Sequence, residues 1–327
     1  MKKKWIGFTI AAGLLVSSMT GIAAEKPEIR IGALKGPTSM GLVSMMEENE
    51  KGERKNSYEF TMVTAADELL PQIITGQLDI ALIPANVASV LYQKTEGEIS
   101  VIDINTLGVL YAVSGGDSII DSSDFKGRTI YLTGKGTTPD YVLQYLLKEK
   151  GIGLDEVTLE YKSEPTEVAV LLSEMPEAIG ILPQPFVTVA LSKNEELKNV
   201  WDLSLEWDKL NEDSGSRLVT GVTVVRNEFL EENPEAVEQF LEEHEESANF
   251  INTYIEEGAV LVEKNGIVEN AEIAKKAIPY CNITCITGED MKNAVSGYLQ
   301  VLYDLNPEAV GGELPDETFY LTDLGNK

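Results

Sequence analysis

Two strand-to-helix corners of the same design, one hundred residues apart, restrict this chain more than any other feature. Ile29 to Met40 reads as a buried strand that turns at Gly36-Pro37, with Thr38 or Ser39 where a helix takes its N-cap. Thr129 to Thr138 repeats it at an offset of 100, placing Lys135, Gly136 and Thr138 on Lys35, Gly36 and Thr38. A third landmark agrees, since Ala178-Ile-Gly-Ile-Leu-Pro183 matches Asp79-Ile-Ala-Leu-Ile-Pro84 at an offset of 99. Each half therefore runs strand, helix, strand, helix, strand, the grammar of a parallel sheet covered by helices. The spacing implies two similar α/β lobes. Convergence on shared local rules is the alternative to duplication, and it leads to the same two lobes.

Between the halves, Ser100 to Val113 reads as one long apolar strand that leaves the first lobe and reaches a flexible joint at Ser114-Gly-Gly. Lys198 to Leu203 looks like a sheet edge, Trp207 to Gly215 like a polar loop, and the β-branched run Arg217 to Val225 like the return crossing. Helices follow, and Asn306 to Lys327 is expected to be an extended tail. Lobe 1 is assigned to residues 25–113 plus 216–327 and lobe 2 to 114–215. The joints are expected near Val113 to Gly116 and Asp213 to Arg217.

Residues 1–24 carry a basic start, an apolar stretch and small residues near Ala24, as a cleaved export signal does. The apolar stretch is shorter than the roughly 20 residues a spanning helix needs. No cysteine lies in residues 1–30 to accept a lipid, so the exported protein is expected to be free or held only by partners. Without Lys2, Lys3 and Lys4 the chain has 23 basic and 54 acidic residues, a formal charge of −31. That balance argues against nucleic acid or an anionic membrane as partner. Cys281 and Cys285 are the only cysteines. A disulfide between them closes a very small loop, and two buried thiols are the alternative. His244 has no carboxylate, thiol or imidazole at helical ligand spacing, which predicts a structural histidine and no metal. The glutamates beside it, Glu235 to Glu246, read as a solvated helix face.

In open α/β sheets the loops leaving the carboxyl ends of strands border the ligand crevice. Here those loops are 35–39, 84–87, 135–139 and 183–187, so the candidate ligand-binding residues are Gly36, Thr38, Ser39, Asn86, Thr137, Thr138, Gln184 and Phe186. Their helix starts offer backbone amides with positive partial charge, and the Thr and Ser hydroxyls serve equally for capping and for ligand contact. No Gly-x-Ser-x-Gly elbow, phosphate loop or histidine beside a nucleophile occurs, and no catalytic residue or cofactor is expected. Lys35, Lys135 and the helix starts favour an anion, the net charge opposes one, and Tyr141, Phe186, Trp201 or Trp207 could stack on a flat ring. The ligand class stays open between a small heterocycle and an anionic organic molecule.

Four stretches carry a family resemblance: Ile-Gly-Ala-Leu-Lys-Gly-Pro-Thr-Ser-Met, Gly-Gln-Leu-Asp-Ile-Ala-Leu-Ile-Pro-Ala-Asn, Thr-Gly-Lys-Gly-Thr-Thr-Pro-Asp-Tyr and Leu-Pro-Gln-Pro-Phe-Val. With Pro279-Tyr-Cys-Asn-Ile, they resemble the substrate-binding proteins of bacterial ABC importers, in the group of nitrate, sulfonate, taurine and thiamine-precursor binding proteins. The resemblance implies a type II periplasmic-binding fold of two hinged lobes, with the C-terminal helices on the first. It also implies a monomer that captures a small molecule outside the cytoplasm and delivers it to the permease and ATPase of an importer. Many relatives have a lipobox cysteine that this chain lacks. An enzyme on the same fold, of the pyrimidine-precursor or menaquinone-pathway type, is the second reading, and a secreted adhesin or scaffold the third.

Overall fold

The computed structural model describes residues 28–115, 119 and 121–323; the expected signal segment lies outside them. Eleven strands form two sheets. The strands are β1 (Glu28–Leu34), β2 (Ser57–Val63), β3 (Ile80–Pro84), β4 (Ile99–Leu107), β5 (Leu110–Gly115), β6 (Thr129–Thr133), β7 (Thr158–Lys162), β8 (Ile179–Pro183), β9 (Leu197–Asp202), β10 (Val219–Arg226) and β11 (Ile283–Ile286). The first sheet has the order β11-β4-β10-β3-β1-β2 and the second β7-β6-β8-β5-β9. Each contains three parallel strands followed by one antiparallel strand from the other half of the chain, β10 in the first sheet and β5 in the second. The duplication expected from the corners is thus a duplication of sheet topology.

Helices cover both faces of each sheet, as the apolar runs of the central strands require. On one face of the first sheet, α1 (Pro37–Met40) and α2 (Val43–Glu50) pack with the long C-terminal helix described below. On the other, α3 (Leu70–Ile74) and α4 (Ala85–Lys94) seat Leu69, Ile73, Ala88 and Leu91. The second sheet is covered by α5 (Thr138–Glu149) and α8 (Leu203–Leu210) on one side and α6 (Pro165–Glu174) and α7 (Phe186–Lys193) on the other. After β10 come α9 (Asn227–Glu232), α10 (Pro234–Thr253), α11 (Ile255–Lys264), α12 (Ala271–Ala277) and α13 (Gly288–Leu305). Val237 and Phe240 of α10 meet Ile29, Ile31 and Met45, and Tyr298 and Leu299 of α13 join the core of α4. The C-terminal elements therefore build on the first lobe.

The tail is tied down. Ser89 donates to Val310 O at 2.7 Å, Tyr92 donates to Asp316 at 2.8 Å, and Leu321 N donates to Val101 O at 2.9 Å. Its irregular sequence left these anchors invisible.

Two expectations change. Residues 100–113 are two strands in different sheets, so the chain changes sheet at Gly108 and Val109, ahead of the expected Val113 to Gly116. A Cβ on Gly108 would meet Ser204 Oγ at 2.1 Å and Leu218 at 2.6 Å, so only glycine lets the two crossings lie side by side. The supposed polar loop begins with α8, N-capped by Asp202, which accepts from Ser204 N and Leu205 N at 2.9 and 3.0 Å. Trp207 in that helix is fully buried. Cys281 and Cys285 are free thiols, as the alternative to a disulfide has it, the first buried and the second half-buried.

Candidate functional site

The first corner is set by Gly36, whose φ of 133° and ψ of −158° belong to a region essentially reserved for glycine. Gly36, and not Thr38 or Ser39, is the N-cap of α1, because Pro37 already takes the first helical position. Ser39 is fully buried and its hydroxyl donates to Gly36 O at 3.2 Å. Thr38 is nearly buried, with its methyl 2.9 Å from where a Cβ on Gly221 would sit. Both residues therefore hold the corner against β10. The corner after β3 presents Asn86, half-buried in the first turn of α4.

In the second lobe, the turn from β6 uses Gly134 and Gly136 at φ of 71° and 73°. Thr137 is exposed and caps α5 by position, yet its hydroxyl donates to Gly134 O at 2.6 Å and so closes the turn. Asp140, buried in the first turn of α5, accepts from Gly136 N at 2.8 Å, from Tyr161 Oη at 2.8 Å and from Gln144 Nε2 at 2.6 Å. Burial, and then the bond to Asp140, push the Tyr161 phenol up. Lys135 lies over the Tyr161 ring, 5.4 Å from its centroid. The positive end of α5 thus already faces a carboxylate of its own chain.

Gln184 is buried and accepts from the Thr188 hydroxyl at 2.8 Å, while its backbone N–H donates to Val109 O at 3.0 Å. This ties the loop after β8, which contains the cis Gln184–Pro185 peptide, to the first crossing. Phe186 packs with Tyr111, Val113 and Leu182.

The corners meet between the sheets. Thr138 Oγ1 donates to Asn86 Oδ1 at 3.4 Å, and Tyr298 of α13 donates to Thr138 Oγ1 at 3.3 Å. Beside them Asn306 donates to the Tyr141 hydroxyl at 2.7 Å. On the opposite flank the Tyr111 hydroxyl donates to Tyr280 O at 3.1 Å, with the two rings edge to face. Of the eight residues expected here, Asn86 and Thr138 are brought into contact. Gly36, Thr38, Ser39, Thr137 and Gln184 shape the corners through bonds within their own lobe or through backbone conformation. Tyr141, Trp201 and Trp207 do not stand free to stack on a ring: all three are buried, Trp207 between Tyr145 and Tyr298. Tyr298, Asn306 and Asp140 escaped the sequence reading, and only Asp140 carried a signal, its place in the first turn after Thr137.

His244 also differs from expectation. It remains a fully buried core residue, but its Nδ1 lies 3.1 Å from a carboxylate oxygen of Asp103, and Cys285 stands nearby.

Two α/β lobes joined by two adjacent crossings, with facing strand-to-helix corners, define the periplasmic solute-binding fold. An ABC transporter protein of Parabacteroides distasonis has this fold at a TM-score of 0.75 and 24% identity, covering 90% of this chain and 98% of its own. The periplasmic aliphatic sulphonate binding protein of Escherichia coli has it at a TM-score of 0.68 and 16% identity, covering 86% and 92%. Within that fold, residues 98–254 match the NMT1/THI5 like family. A Brucella abortus (strain 2308) protein described as a binding protein is 22% identical over 303 residues, 90% of either chain.

Proposed function

We propose that this protein is an exported receptor that closes its two lobes on a small organic molecule and delivers it to the permease and ATPase of an ABC importer, without catalysing a reaction. The contact between Asn86 and Thr138 carries the reading. The two residues head equivalent corners of different lobes, and among the described residues the chain passes between the sheets at Gly108–Val109 and 211–218. Rotation at two short crossings is the ordinary way such lobes open and close. The relatives' description as binding proteins and transporter components supports the same role. Export would follow cleavage near Ala24, leaving a monomer.

The groups at the meeting of the corners favour an uncharged polar ligand. Asn86, Thr138, Tyr298, Tyr141 and Asn306 offer amides and hydroxyls. Asp140 occupies the anion-favouring end of α5, and Lys135 is turned onto Tyr161. A carboxylate there repels an anionic ligand and compensates the helix end that would have attracted it.

Native mass spectrometry of freshly purified protein tests this. A carried molecule of defined mass, lost on unfolding and carried at lower occupancy by Asn86→Ala/Thr138→Ala protein, is the expected result. A bare chain mass that stays bare after incubation with a metabolite extract contradicts it.

A further inference from the structure

Asp103, His244 and Cys285 come from β4, α10 and β11, yet a carboxylate oxygen, a ring nitrogen and the sulfur all lie within 4.8 Å of one another. Asp103 and His244 are fully buried and Cys285 is half-buried. One Asp103 oxygen accepts from the Thr223 hydroxyl at 2.8 Å, and Asn105 donates to that hydroxyl at 3.2 Å. The other oxygen is 3.1 Å from His244 Nδ1. The Thr223 hydroxyl thus holds the Asp103 carboxylate from behind, as a second layer of hydrogen bonds holds metal ligands in place.

A nucleophilic thiol relay does not fit. It would need the second ring nitrogen of His244 to reach the sulfur, and Nε2 has no hydrogen-bond partner.

We propose that Asp103, His244 and Cys285 form a binding site for one divalent cation of the zinc class, separate from the contact of Asn86 with Thr138. Thiolate, imidazole and carboxylate together are the donor set that Zn2+ takes in tetrahedral geometry. Bond lengths of about 2.0–2.3 Å put tetrahedral donors about 3.3–3.8 Å apart, which a modest rotation of the half-buried Cys285 side chain achieves. Access and the fourth position are on the side of a groove of about 440 Å³ that Cys285 lines with Ile102, Glu238, Glu242 and Glu245. Those carboxylates raise the local concentration of cations. On binding, the thiol proton leaves to solvent through the groove and the thiolate takes its place on the metal. The ion then joins β11, an edge strand, to β4 and α10. Asn282, one residue before β11, donates to Gly108 O, so the joined edge lies next to the first crossing.

The experiment uses the full chain, stripped with a chelator and titrated with Co2+. One equivalent is expected to produce the near-ultraviolet thiolate-to-cobalt absorption, to be displaced by Zn2+, and to raise the melting temperature. Cys285→Ser should abolish the absorption, whereas Cys281→Ser, outside the group of three donors, should keep it. Thr223→Val should weaken binding about 10- to 100-fold through the lost second-layer bond. The half-buried Cys285 keeps the test independent of variants at the fully buried His244. No thiolate absorption in the native chain, the same absorption in Cys285→Ser, or equal Zn2+ affinity in both would overturn the site.

Discussion

Asn86 and Thr138 stand 3.4 Å apart across the boundary between the two sheets, each in the first turn of a helix that follows a sheet strand of its own lobe. Separately they are ordinary helix-start residues, and in the proposed receptor their contact marks the closed lobes. Asn86→Ala and Thr138→Val are each expected to weaken binding of the carried molecule by about 0.5–1.5 kcal/mol, the usual net worth of a neutral hydrogen bond. In titration calorimetry the double variant should lose less than the sum, because the two share one contact. Full additivity, or unchanged affinity in the double variant, would remove these residues from the site.

The buried carboxylate of Asp79 anchors the first lobe. It accepts from Arg30 N at 3.0 Å and from Arg30 Nε at 2.8 Å, pairs with Arg30 Nη2, and has Arg226 Nη1 at 3.8 Å. Asp79→Ala leaves the Arg30 backbone N–H and guanidinium without their acceptor, while Arg226 keeps Glu228, so urea unfolding should show a loss of about 2–4 kcal/mol. A loss within the error of the midpoint would mean that water substitutes fully for the carboxylate.

Stability should fall in alkali. Burial pushes the phenols of Tyr58, Tyr111 and Tyr298 up, with the bond to Glu243 adding to the effect at Tyr58. The folded chain therefore keeps protons that the unfolded chain releases near pH 10, and stability present below that pH declines as pH rises through it. Tyrosinate absorbance and far-ultraviolet circular dichroism should change together for the buried tyrosines. All 12 tyrosines titrating near pH 10 with native dichroism would contradict this.

What could be read from the chain follows from range. Strand period, proline stops and the two offsets depend on neighbours in sequence, and they led to two lobes with corners at Gly36, Asn86, Thr138 and Gln184. The break between β4 and β5 lies hidden because an apolar run stays apolar on both sides of Gly108, whereas the return crossing into β10 falls where the β-branched run puts it. Trp207 was read as loop because Glu206, Asp208 and Lys209 surround it, although its helix buries one face only. Tyr298 and Asn306 reach the corners from 160 and 165 residues away, and Asp103 meets His244 across 141. No local pattern reports such meetings, so a lone histidine on an apolar helix face read as core alone.

Small-angle scattering tests the central claim most directly. Protein carrying its molecule should fit the structure in which Asn86 meets Thr138, and protein stripped by unfolding and refolding should show a larger radius of gyration that shrinks again when the molecule is restored. Identical curves for loaded and stripped protein, with mass spectrometry showing that the molecule has left and returned, would contradict closure of the lobes on a ligand.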